Sequence, residues 1–175
     1  FEPSKTNCNI LRENYKKNKN ITINQLALSN KNGKASLYFD NPGSGSASLT
    51  KRRLDHFNIF MNNNEDVNLI RFDEYWKSNI TIIDYVKIDV EGHELDVLYG
   101  FGKIINKIKL IQFEFGGCNI DTKSYFQDFW YFFKKNNFIV YRITPRGTVK
   151  IESYNEKDEF FSTTNFIALN KIFSN

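Results

Sequence analysis

From Lys87 to Asp96 the chain places six ionisable side chains in ten residues, Lys87, Asp89, Glu91, His93, Glu94 and Asp96, within the otherwise apolar run "YVKIDVEGHELDVLYG". Carboxylates beside an imidazole are groups that accept or relay the proton of a hydroxyl. A lysine among carboxylates is also how a covered strand satisfies a charge that it buries. The period of two along "DYVKIDV" sets Tyr85, Lys87 and Asp89 on one face and Val86, Ile88 and Val90 on the other. The same count along "LIQFEF" puts Gln112 and Glu114 together, so between neighbouring strands Lys87 is expected to pair with Gln112 or Glu114. Asp89 ends its strand, and His93 stands in the first turn after Gly92. Helix capping and general-base catalysis are both open to that histidine.

These residues need elements to position them. "TIIDYVKIDV" reads as a strand covered on both faces, because it is β-branched and nearly continuous in apolar residues. In "EGHELDVLYGFGKII" Leu95, Leu98 and Phe101 recur at helical spacing, with Glu91 and Glu94 near the positive end of the helix dipole and Gly92 making the turn. "KLIQFEF" is the next strand and "DTKSYFQDFWYFFKKN" one long helix. "FIVYRIT", a turn at Pro145-Arg146-Gly147, "TVKIES" and "TNFIALNK" read as closing antiparallel strands.

Upstream, "FEP" reads as a strand end and a helix start with Pro3 in the first turn. "ITINQLALS" and "KASLYF" are expected to form a hairpin-like pair across Asn32-Gly33. Residues 40–66 read as a loop insert, after which "VNLIRF" resumes strand character and "DEYWKS" starts a short helix with Asp73 near its N-cap. The alternation predicts an α/β fold, a Rossmann-like, mostly parallel sheet with helices on both faces and an antiparallel C-terminal strand, in one domain over 1–175. Ligands of such sheets sit outside the carboxyl ends of the strands. That selects Glu2, the loop after Ala27, Asp89 onward and Glu114.

Composition excludes several classes. A chain of 175 residues with 41% hydrophobic and 16% aromatic content builds a core and is not disordered. No apolar run approaches the ~20 residues that span a bilayer, so no membrane partner is expected. Basic clusters such as Lys51-Arg52-Arg53 are short and scattered over a net charge of +4, which argues against nucleic acid and for a solvated loop. Cys8 and Cys118 lack metal spacing and read as two free thiols. No His/Cys cluster has zinc spacing, and Asp89 with Glu91 offers few ligands to a hard cation, so no bound metal is expected. Nothing in the visible chain exports it, which gives a cytoplasmic expectation. The only methionine is Met61, so the chain at Phe1 is expected to be preceded by further sequence.

"DYVKIDVEGHELDVLYGF" closely resembles the signature of the FkbM-type S-adenosylmethionine-dependent methyltransferases, and "FEPSKTN", "ALSNKNG", "QFEFG" and "NFIALNK" agree with the family's other segments in order. The resemblance implies the class I methyltransferase fold and methyl transfer from S-adenosylmethionine to a hydroxyl of a sugar, glycan or secondary metabolite. It implies that Glu2 binds the cofactor ribose, that Ala27, Leu28 and Ser29 line the adenine, and that donor and acceptor meet at Asp89. Asp89 or His93 is then the expected base, with Glu91 orienting its partner and Glu114 completing the polar rim. It also implies a first strand and a glycine-rich loop upstream of Phe1, outside this sequence. The competing expectations are a nicotinamide-dependent oxidoreductase using Glu2 for the ribose, and a non-catalytic domain that binds a glycan or a partner.

Overall fold

The structure is a computed structural model that describes residues 1–77 and 81–173. The first half carries α1 (Lys5–Tyr15), β1 (Ala27–Leu28), β2 (Gly33–Phe39), β3 (Asn63–Ile70) and α2 (Phe72–Tyr75). The second half carries β4 (Ile83–Ile88), α3 (Glu94–Gly100), β5 (Ile108–Phe115), α4 (Cys118–Thr122), α5 (Phe126–Lys135), β6 (Phe138–Thr144), β7 (Gly147–Lys150) and β8 (Thr164–Asn170). The strands form a sheet of order β1-β3-β2 and a larger one of order β4-β5-β8-β6-β7.

The α/β class is as expected, and within it the pairing is mixed. Parallel ladders join β1 to β3 and β4 to β5, while β2–β3, β5–β8, β6–β8 and β6–β7 are antiparallel. The closing strands are antiparallel as expected: β6 and β7 join through a tight turn at Pro145-Arg146, whereas β8 follows the connection over 151–163 and inserts between β5 and β6.

Core packing is aromatic. On β5 the alternate residues Ile111, Phe113 and Phe115 are buried, and in α5 Phe126, Phe129, Trp130 and Phe133 fall on one face and are buried too. The Phe113 ring lies 5.1 Å from that of Phe129, 5.0 Å from Phe133 and 5.4 Å from Phe166. Each such pair adds about 0.5–1.5 kcal/mol beyond the area it buries.

The cover expected on both faces of the central strands is seen on this one. The parallel register Lys87↔Gln112 puts Tyr85, Lys87, Gln112 and Glu114 on the opposite face, exposed or half-buried. β4 stands at the sheet edge among the described residues, and Tyr85 and Lys87 on it are exposed. Lys87 accordingly does not pair across strands. Its Nζ donates to Asp89 Oδ2 at 2.7 Å two residues along, and Gln112 instead accepts from the Tyr85 hydroxyl at 2.7 Å.

Local readings differ elsewhere for identifiable reasons. The expected long helix is two: α4 ends at Lys123 in the left-handed region (φ 55°), with Asn119 Nδ2 donating to Ser124 Oγ at 2.9 Å. α5 then restarts with a box between Tyr125 and Asp128. The hairpin is β2 with β3, not with the preceding strand, in register Phe39↔Asn63. That ladder recruits Asn63 to Asp66, residues of low strand propensity that the insert reading had assigned to loop, because a paired neighbour overrides propensity. Of Ile21–Ser29 only Ala27 and Leu28 are strand, and Pro3 precedes the true N-cap of α1, Ser4, whose side chain accepts from Asn7 N–H. Asp73 lies in the first turn of α2 behind its N-cap Arg71, and Ser78 of "DEYWKS" lies outside the described residues. Cys8 and Cys118 are free and buried, and burial pushes the Cys118 thiol up to about 12.

Candidate active site

The chain between β4 and α3 turns sharply because two successive residues take positive φ, Glu91 at 54° and Gly92 at 104°. A Cβ on Gly92 would lie 2.8 Å from Thr122 Cγ2 and 2.9 Å from the Cys118 carbonyl oxygen, so glycine is required by both backbone and space. Glu94 fixes the turn from below. It is fully buried, and its Oε1 accepts from the Val90 and Gly92 N–H groups at 3.0 and 3.2 Å. Burial raises its pKa above the usual glutamate value. The companion close approach is at Gly100, whose absent Cβ makes room for the Ser29 carbonyl.

From above, the same turn is held by the connection between β2 and β3. Ser48 Oγ donates to the Glu91 carbonyl at 2.8 Å, and Thr50 Oγ1 lies 3.0 Å from His93 Nε2. Arg52, its side chain only 11% exposed, pairs with Glu91 and reaches Asp121 at 3.5 Å. Arg53 N–H also points to Asp121 at 3.4 Å. Arg52 is therefore not the solvated loop residue that its basic run suggested. The sequence signal for this strap was the length of the insert alone, since a long connection inside a compact domain is usually functional. Ser48, Thr50, Arg52 and Glu94 are the site residues that sequence reasoning did not assign.

A cavity of about 470 Å³ opens beside this turn. Its walls include Glu2, Ala27 and Leu28, the rim residues Lys87, Asp89, Glu91 and His93, and Ser44, Ser48 and Leu49 of the strap. Glu2 Oε1 accepts from Ser4 N–H at 2.8 Å, and no described residue engages Oε2. Asp89 uses Oδ2 for Lys87 and leaves Oδ1 without a partner among the described residues; its side chain is 39% exposed. His93 has both ring nitrogens engaged, Nδ1 with Asp96 Oδ2 at 2.8 Å and Nε2 with Thr50.

Two expected residues lie off the cavity wall. Ser29 is buried, bonding the Ile70 carbonyl and packing under Gly100. Glu114 is half-buried behind the rim, its pKa raised by burial and then by the charges of Asp89, Glu91 and Glu94. Asp89, Glu91 and Glu114 each bring one carboxylate oxygen within 4.8 Å of the others. Burial likewise raises Glu91, against the lowering effect of Arg52.

This is an α/β protein with a ligand-sized cavity that runs along β4 from Ile83 and past its carboxyl end to Asp89, Glu91 and His93, the end of a strand at which such sheets place their chemistry. A scan against protein-family models matches residues 1–140 to the Methyltransferase FkbM domain, and the chain belongs to this family of methyltransferases. Searches of the curated proteins and of the solved structures return no match. No helix among the described residues is long and apolar enough to cross a membrane.

Proposed function

We propose that the protein transfers the methyl group of S-adenosylmethionine to a hydroxyl of a sugar, glycan or secondary metabolite. The observation that carries this reading is the cavity of about 470 Å³ shared by Glu2, Ala27 and Leu28 on one wall and Asp89 on another. Membership in a methyltransferase family supports methyl transfer as the chemistry.

The residues present fit the ribose and purine parts of the donor. Glu2 has one carboxylate oxygen committed to its own turn and the other available to a ribose hydroxyl. Ala27 and Leu28, with Phe101 and Val97, give an apolar wall for a purine. Asp89, on the cavity wall, would supply negative charge to a cationic sulfonium. When bound, the donor supplies an electrophilic methyl carbon on sulfur.

The chain's own groups then have separable tasks. Asp89 Oδ1 would accept the proton of an acceptor hydroxyl, while Lys87 fixes Oδ2. Glu91, clamped by Arg52, sets the direction of the turn that carries Asp89. His93 is an orienting residue, held at both nitrogens, and Glu114 closes the polar rim behind Asp89. Holding the acceptor in line is the larger contribution, since orientation alone can supply several kcal/mol of the barrier.

The test is differential stabilisation. S-Adenosylhomocysteine at a hundredfold excess over its Kd is expected to stabilise the fold by about 2.7 kcal/mol, read as a shift in thermal midpoint, and NAD is expected to leave the midpoint unchanged. Glu2→Ala is expected to weaken that shift. A shift by NAD and none by S-adenosylhomocysteine would overturn the reading.

A further inference from the structure

Several contacts hold the strap in place. Tyr38 and Ser48 exchange backbone hydrogen bonds at 2.8 and 3.0 Å, and further along the chain Arg52 and Arg53 meet Asp121. Between these ties Thr50 Oγ1 lies 3.0 Å from His93 Nε2. Ser48 and Leu49, which directly precede Thr50, line the cavity together with His93.

Behind His93 stands Asp96, which is not among the wall residues. Its Oδ1 accepts from Asn30 Nδ2 at 2.7 Å, and its Oδ2 lies 2.8 Å from His93 Nδ1. An ionised carboxylate only accepts, so the ring must carry its hydrogen on Nδ1. Nε2 of the neutral ring is then the acceptor for the Thr50 hydroxyl. The other end of this chain of bonds is anchored. The Asn30 carbonyl accepts from Arg71 Nη1 at 2.7 Å, and Arg71 pairs with Asp73 at 2.6 Å.

We propose that Asp96 is a positioning residue, which acts through His93 to seat Thr50 and with it the strap wall formed by Ser48 and Leu49. The assignment rests on the methyl-transfer reading for what the cavity holds, and adds the device that sets the shape of one of its walls. Asp96 also stands in the first turn of α3, where a carboxylate favours the helix by its charge alone. That simpler role places the consequences of its loss in α3. Positioning places them in the strap, a stretch of chain that Asp96 reaches only through the His93 ring.

Two measurements on the whole chain test it. The protein has two histidines, so His56→Gln leaves His93 as the only imidazole in a nitrogen-15 NMR spectrum. At alkaline pH its neutral ring is expected to be protonated on Nδ1, the tautomer that free imidazole side chains disfavour. Hydrogen exchange then reads the strap, where the Ser44, Ser46, Ser48 and Thr50 N–H groups are all bonded. Thr50→Val is expected to speed exchange of these amides about fivefold, the size of one net hydrogen bond, and Thr50→Ser to restore it. Asp96→Ala is expected to speed the same amides about two- to threefold, because a ring held at one nitrogen keeps part of that bond. The double variant is expected to exchange no faster than Thr50→Val, since both substitutions act on one contact. Amides of β5 serve as the control and are expected to be unchanged. A wild-type ring protonated on Nε2, strap amides that either variant leaves at wild-type rates, or additive effects in the double variant overturns the positioning role. A rise that extends through β5 overturns it too, because Asp96 would then serve global stability. The expected tautomer and exchange pattern with no binding of S-adenosylhomocysteine would instead sink the methyl-transfer reading and leave the positioning role standing.

Discussion

The ten residues from Lys87 to Asp96 hold two chemical neighbourhoods of equal charge density and opposite environment. Lys87 and Asp89 form an open pair on the polar face of β4, both side chains more than a third exposed. Five residues after Asp89, Glu94 is sealed, and Glu91 and His93 are held by the strap. Charge count alone does not separate a reactive group from a structural one; the number of its partners and its contact with solvent do. The sealed half holds the turn in shape, and the open half leaves Asp89, on the cavity wall, with an oxygen that has no partner among the described residues.

That contrast breaks most severely at Gly92. Alanine there meets both a left-handed backbone and a wall formed by Thr122 and the Cys118 carbonyl. Backbone strain of roughly 1–3 kcal/mol and overpacking of similar size add to about 4 kcal/mol of lost stability. A fall in the urea midpoint at constant m-value measures it. A change below 1 kcal/mol would mean that α4 does not press on the turn.

Glu94 separates shape from charge. Glu94→Ala strips the acceptor from the Val90 and Gly92 N–H groups and is expected to cost about 3 kcal/mol, whereas Glu94→Gln keeps that acceptor and costs much less. The pH dependence follows from burial. With its folded pKa raised above the usual 4.5, Glu94 binds its proton more tightly in the folded state than in the unfolded one. Its contribution is complete below that usual value and is lost as pH rises through the elevated folded pKa. Glu91 and Glu114 are shifted in the same direction, so Glu94→Gln is expected to flatten the decline without abolishing it. Denaturation midpoints across the acid range, compared between the two proteins, decide this. Parallel curves would show that the Glu94 carboxyl is not the proton reservoir.

Legibility in the sequence followed the range of the interaction. Strands and helices with strong local patterns, such as "KLIQFEF" and the phenylalanine face of α5, were readable because period and burial coincide. The motif around Gly92 was readable as a turn, and Asp89 as a strand-end residue, from positions a few residues apart. What escaped was non-local. Ser48, Thr50 and Arg52 reach the turn from about forty residues upstream, across a ladder whose asparagines hide its strand. Lys87 was read as buried or half-buried because an apolar strand implies two covered faces, yet the face that carries Tyr85 and Lys87 is exposed. A pattern of residues reports what could be covered; which neighbour does the covering is decided by topology.

The smallest expected change in stability carries the sharpest functional test. Lys87 is half exposed and its pKa is raised chiefly by the hydrogen bond to Asp89, so the pair is real but solvated. Such pairs contribute roughly 0–1 kcal/mol, and Lys87→Met is expected to leave the denaturation midpoint nearly unmoved. The same substitution frees Asp89 Oδ2 and lets the carboxylate turn away from the cavity. Methyl transfer is therefore expected to fall about tenfold, equivalent to ~1.4 kcal/mol of barrier, with the loss in kcat rather than in KM because Lys87 acts through the orientation of Asp89. Unchanged kcat with an unchanged midpoint would make Lys87 a surface ornament of β4. A large fall in the midpoint would place it in the sealed half of the motif, and the division between the two neighbourhoods would have to be redrawn at Asp89.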